Sequence, residues 1–152
     1  MKETVLVLIK PDGLQKRIAG NVIDRFLAGG LDLAGLKVAK VSRALAQKHY
    51  GHLKKRFFFK EIVDYLTGDL HGGNPVVAMA LRAKDAVKTC RRIAGATDPE
   101  EADPRSVRGS FGRITTKGVF ENLVHVSSNK KEAAREIKLW FGAVPKRRRR
   151  PF

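Results

Sequence analysis

The sequence predicts an α+β fold, a ferredoxin-like antiparallel four-stranded sheet covered by helices in a single domain. Three observations predict it. Four runs of apolar or alternating residues have the length of strands, and each is followed by a segment with helical period. The order reads strand, helix, strand, two helices, strand, helix, long loop, strand, helix. The chain of 152 residues shows no internal repeat and no linker, so one core has to serve all of it.

Thr4–Lys10 is the first strand, β-branched and apolar, ended by Lys10-Pro11-Asp12-Gly13, which is turn chemistry. Asn21 is read as the cap of a helix through Ala28, with Val22, Ile23, Phe26 and Leu27 on one face, and Gly29-Gly30 ends it. Leu31–Ser42 alternates Leu36, Val38 and Val41 with Lys37 and Lys40, as a half-buried strand does. Ala46–Lys55 and Glu61–Leu66 read as two short helices joined by Arg56-Phe57-Phe58-Phe59, and Gly68–Asn74 as a glycine-rich loop. Pro75–Arg82 is the third strand and Ala86–Ala94 the next helix. Gly95–Gly118 lacks a period and reads as a long loop, the kind that is usually functional in a compact domain. Asn122–Ser127 is the fourth strand, and Lys130–Phe141 is a helix whose Ala133, Ala134, Ile137, Leu139 and Trp140 offer an apolar face. Residues 1–144 are thus assigned to the domain, and 145–152 to a basic C-terminal tail.

Composition narrows the function classes. The longest apolar runs, Val5–Ile9 and Val76–Leu81, fall far short of a membrane span, and the first residues have no signal-peptide core. One cysteine, Cys90, excludes an intrachain disulfide framework and fits a reducing cytoplasm. The net charge is +16. Lys146–Arg150 carries five of the 31 basic residues, so the remainder is still strongly basic. Such a field attracts polyanions, nucleotides and nucleic acid alike, through the surface or through the tail. The same charge also follows from solubility alone. A nucleic-acid-binding module is the competing class, but the Phe57–Phe59 run lies between helices, and the strands carry no aromatic recognition segment.

The familiar phosphate-binding loops are missing. Gly30-Leu-Asp-Leu-Ala-Gly35-Leu-Lys37 lacks the final Ser or Thr of a P-loop, and no G-x-G-x-x-G follows a strand. What remains is a histidine at a strand end, His125, and a lysine at another strand end, Lys10. The first can accept a phosphoryl group and the second can hold the phosphates it attacks. His49 and His52 are too few for a structural zinc site and are read as exposed helix polarity.

Eight segments then match one family in its own order: Lys10–Gln15, His49-Tyr50, Pro75–Met79, Val87–Arg91, Gly95–Pro99, Ser106–Gly109, Asn122–Ser127 and Ala134–Phe141. On these segments the chain resembles nucleoside diphosphate kinases along nearly its whole length. The resemblance implies transfer of the γ-phosphoryl group from a nucleoside triphosphate, typically ATP, to a nucleoside diphosphate. It implies a ping-pong route through a phosphohistidine at His125, with Glu136 holding the other ring nitrogen. By the same resemblance Lys10, Tyr50, Arg91, Thr97 and Arg108 contact the phosphates, Phe58 stacks on the base, and Asn122 with Lys10 binds the ribose. Mg²⁺ would be held mainly through the nucleotide phosphates, with no protein metal ligands. A homo-oligomer is implied, a hexamer ahead of a tetramer. The chain departs from the family pattern at Phe57, Ser110, Val126 and Ser128, and by insertions around Asp69–Gly73 and within Gly112–Val119.

Overall fold

The structure, a computed structural model, describes residues 1–143. The basic tail assigned to 145–152 lies outside the described residues. The chain runs β1 (Glu3–Ile9), α1 (Pro11–Gln15), α2 (Ala19–Ala28), β2 (Asp32–Ala39), α3 (Arg43–His49), α4 (Phe59–Thr67), β3 (Val76–Ala83), α5 (Ala86–Ala94), α6 (Val107–Phe111), β4 (Arg113–Ile114), β5 (Phe120–Glu121), β6 (Val124–Val126) and α7 (Lys130–Phe141). The main sheet has the order β2-β3-β1-β6, and all its pairs are antiparallel. This is the predicted α+β architecture.

β1 is a continuous apolar run because it is central: Val5 to Ile9 are all fully buried. Its side chains alternate between two cores. Val5, Val7 and Ile9 join Val22 and Phe26 of α2 and Val87 and Cys90 of α5 on one face. Leu6 and Leu8 join Ala46 of α3, Val63 and Leu66 of α4, and Ile137 and Trp140 of α7 on the other.

Four local expectations are corrected. Lys10-Pro11-Asp12-Gly13 is not a simple turn, because Pro11 opens α1; proline is equally at home at the first helical position, where its missing N–H costs nothing. Asn21 does not cap α2, which begins two residues earlier with Ile18 as its N-cap and no side-chain bond. Gly95–Gly118 contains α6 and β4, elements too short to show a period. Finally, β2 is not half-buried. Leu36 is 50% and Val38 67% exposed, because β2 is the edge strand of the sheet.

Candidate active site

The site is assembled where β1, β6 and the segment between β4 and α7 meet. Lys10 ends β1, and its backbone N–H donates to Leu123 O at 2.8 Å. Asp12, fully buried in the first turn of α1, accepts from Leu123 N at 3.1 Å. These two bonds tie the start of α1 to the chain entering β6, where Leu123 has a positive φ of 68°. Asn122 is thereby set beside Lys10. Its amide oxygen accepts from Lys10 Nζ, and its amide nitrogen donates to Thr97 O at 2.9 Å.

His125 lies in β6 opposite Leu8. Its Nε2 is 3.0 Å from both oxygens of Glu136, which projects from α7 and is fully buried. Ser127 Oγ donates to the same carboxylate at 2.6 Å. Burial works to raise the Glu136 carboxyl, but these hydrogen bonds and the charges of His125 and Arg135 outweigh it and hold the group below its ordinary value. An ionised Glu136 requires His125 Nε2 to carry the proton, which leaves Nδ1 with its lone pair. Nδ1 has no hydrogen-bond partner among the described residues.

A cavity of about 330 Å³ opens in front of this ring, lined by Lys10, Tyr50, Phe58, Arg91, Thr97, Arg108, Asn122 and His125. Every residue singled out from the sequence therefore faces one space, with Glu136 directly behind His125. Three cations and no carboxylate line it. Burial and the charge of Arg91 pull the Arg108 guanidinium down to about 10, still charged at neutral pH. Arg108 is aimed by bonds to Gly95 O and Val124 O, both 2.8 Å. Lys10 is pushed down to about 8 by burial, with Arg108 adding and Asp12 opposing; its ammonium also sits 4.1 Å from the centre of the Tyr65 ring. Burial and the charge of Glu136 push the Tyr50 hydroxyl up, so it is a donor at all working pH values.

A hard oxygen-seeking cation finds no cage of oxygen ligands among the described residues. The one grouping of potential ligands among the described residues is His49, His125 and Glu136, two imidazoles to one carboxylate. Magnesium here would depend on oxygens that a nucleotide brings, and position 128 offers a serine hydroxyl rather than a carboxylate.

His49 is the residue that sequence reasoning missed. Instead of being exposed, it is fully buried at the end of α3, 4.4 Å from His125 between ring centres and nearly perpendicular to it. Trp140 Nε1 donates to its Nδ1 at 3.1 Å, and its Nε2 is buried without a partner. Burial, with the charges of His125, Arg135, His52 and Lys10, drives it well below the usual imidazole value. It is therefore a neutral ring beside the candidate nucleophile. Its spacing from Leu45 and Ala46 on the helix carried the signal, while the pairing with His52 was misleading, since His52 sits in a separate 3-10 turn at Gly51–Leu53. Of the three adjacent phenylalanines, Phe59 packs into the core, Phe58 lines the cavity, and Phe57 is 96% exposed.

The comparisons with known proteins agree with this geometry. A family model described as nucleoside diphosphate kinase matches residues 3–145. The nucleoside diphosphate kinase of Pyrococcus abyssi is 41% identical over 140 residues, covering 92% of this chain and 84% of its own. Among solved structures, the Borrelia burgdorferi enzyme, a transition-state mimic with bound vanadate and ADP, superposes with a TM-score of 0.85 at 26% identity, covering 98% of this chain and 94% of its own. A halophilic enzyme from Halobacterium salinarum in complex with CDP gives 0.84 at 32% identity, covering 94% and 90%. The chain belongs to the nucleoside diphosphate kinase family of phosphotransferases.

Proposed function

We propose that this chain transfers the γ-phosphoryl group in two half-reactions through His125. In the first, Nδ1 attacks the terminal phosphorus of a nucleoside triphosphate. The Nδ1–P bond forms as the bond from phosphorus to the bridging oxygen breaks, and the nucleoside diphosphate leaves with the electron pair. The proton stays on Nε2, and the positive charge that grows on the ring is met by Glu136. A second nucleoside diphosphate then enters and takes the group by the reverse chemistry. One site serves both steps because donor and acceptor present the same phosphates.

Lys10, Arg91 and Arg108 stabilise the charge spread over the transferring oxygens, and the two guanidiniums can do so with paired donors. Tyr50 and Thr97 add hydroxyl donors. Phe58 stacks on the base, while Asn122 and Lys10 hold the ribose hydroxyls. Lys10, Arg91 and Arg108 would hold the nucleotide phosphates, and magnesium bound to those phosphates would supply further charge neutralisation. We also infer a homo-oligomer, hexameric in its full assembly and built on pairing of the open β2 edge, where Leu33, Leu36 and Val38 are exposed.

The observation that carries the reading is the Glu136-held His125 ring at the wall of a cavity lined with cations. The test is direct. Incubation with γ-labelled ATP and Mg²⁺ is expected to leave an acid-labile, base-stable label that GDP or CDP discharges. Equal labelling of His125→Ala, or none on the unmodified protein, would sink it.

A further inference from the structure

The Lys10 ammonium is buried, and two contacts set its direction. Asn122 Oδ1 accepts from Nζ, and the centre of the Tyr65 ring lies 4.1 Å away. Traced outward in opposite directions, these two contacts meet again. The Tyr65 ring lies against the ring of His71, 4.8 Å between centres. Asn122 follows directly on Glu121, the last residue of β5. His71 Nε2 and Glu121 Oε1 are 2.9 Å apart, and both side chains are buried. One buried bond therefore stands behind both of the groups that aim Lys10.

The bond is held firmly on both sides. Besides His71, Glu121 meets Arg113 Nε at 2.5 Å and Lys16 Nζ at 3.4 Å. Burial works to raise its carboxyl, but the bonds from Arg113 and His71 with the charge of Lys16 outweigh this and hold it down to about 2. An ionised Glu121 only accepts, so His71 donates from Nε2. Surface loops ordinarily leave a histidine in water, yet His71 is 4% exposed. Its own backbone is pinned to turn it inward. The N–H donates to Gly68 O at 2.9 Å, and the carbonyl accepts from Asn74 N at 3.2 Å and Asn74 Nδ2 at 2.9 Å. Gly68 takes a φ of 89°, and a Cβ there would lie 2.4 Å from Asn74 O. Arg113 lies in one of the two insertions and His71 in the other, so residues that depart from the family pattern build this clasp.

We propose that the His71–Glu121 pair is a positioning device for the Lys10–Asn122 grip on the ribose, with His71 acting through Tyr65 on one side and through Glu121 and Asn122 on the other. The proposal rests on the nucleotide reading above. Neither His71 nor Glu121 lines the phosphate cavity, so an effect on the nucleotide has to pass through the groups they hold. Side chains that touch a ligand keep one geometry only when packing and hydrogen bonds behind them lock it. Without the His71 donor, the Tyr65 ring loses its backing and the end of β5 loses its tie to the loop. Lys10 and Asn122 then no longer meet the hydroxyls in one arrangement.

The experiment measures transfer from the labelled enzyme to GDP and to 2′,3′-dideoxy-GDP as kcat/KM, with KM and kcat resolved. Only GDP carries the hydroxyls, so the ratio of the two acceptors reads the ribose grip apart from the rest of the site. The unmodified protein is expected to favour GDP. His71→Ala is expected to lower kcat/KM for GDP roughly five- to tenfold, mostly through KM, with little change for the dideoxy acceptor. His71→Phe fills the space beside Tyr65 but cannot donate, and it gives the same reading where the alanine variant folds poorly. His71→Gln, which keeps a donor for Glu121, is expected to restore the ratio. An unmodified protein that takes no label would defeat the nucleotide reading itself. Normal labelling with an unchanged ratio in His71→Ala and His71→Phe, or an equal loss for both acceptors, would overturn the positioning role alone. A ratio that stays narrowed in His71→Gln would show that the bond to Glu121 is not the device.

Discussion

At the scale of single residues, Lys10 makes the sharpest prediction. Its folded value of about 8 lies below the ordinary lysine value of 10.5, chiefly because burial disfavours the ammonium. Between those values the unfolded chain binds more protons, so stability rises with pH there, and the cost of charging Lys10 is fully present below about 8. Nucleotide phosphates reverse the preference by stabilising the ammonium. Binding of ADP near pH 8.5 is therefore expected to take up protons and to weaken as pH rises further. Calorimetry in two buffers of different ionisation enthalpy reads the uptake, which should vanish in Lys10→Met. Proton release on binding would contradict the assignment. Lys10 and His125 stand out in the sequence as polar residues at the ends of apolar strands, whereas Glu136 was indicated only through the family resemblance. His49 was not, since an imidazole on a short helix reads as polar until the Trp140 indole and the His125 ring close over it.

At the scale of elements, boundaries were legible where a period had room to repeat. α5 and α7 fall on the residues expected, at Ala86–Ala94 and Lys130–Phe141. α6 was invisible because five residues make little more than one turn, yet it carries Arg108. Its fixing depends on Gly109. A Cβ there would lie 2.0 Å from Asp103 O and 2.6 Å from its carbonyl carbon, both backbone atoms that cannot swing aside. The same turn holds the Ser106 cap, whose Oγ accepts from Gly109 N at 3.1 Å and donates to Asp103 O at 2.6 Å. Gly109→Ala must push α6 away from this turn. We expect a stability loss of about 1–3 kcal/mol, the usual cost of forced overpacking, read as a lower urea midpoint. Because Arg108 moves with α6, nucleotide KM should rise as well. A variant with an unchanged midpoint would show that α6 has slack which the packing does not suggest.

At the scale of the whole molecule, two forces oppose each other. A net charge of +16 repels copies of the chain, while the open edge of the sheet invites them. The alternation of Leu36, Val38 and Val41 promised a half-buried strand; Val41, just past β2, is buried, but Leu36 and Val38 stay exposed, as does Leu33. An apolar alternation does not say whether its row packs within the chain or stays exposed at a sheet edge, which is why β2 was misread. The bulge at Leu33–Gly35 interrupts pairing with β3 but leaves Lys37, Val38 and Ala39 in regular register. A second β2, antiparallel across a two-fold axis, would meet those residues with its own backbone and cover the apolar row. Val38→Lys places one new cation per copy on that row, doubled across the axis and close to its counterpart. Light scattering is expected to find a smaller species for this variant than for the unmodified protein. Raising the salt concentration should recover part of the assembly, since the Debye length falls from about 8 Å at 0.15 M to about 3 Å at 1 M. An unchanged mass at low salt would move the interface away from β2.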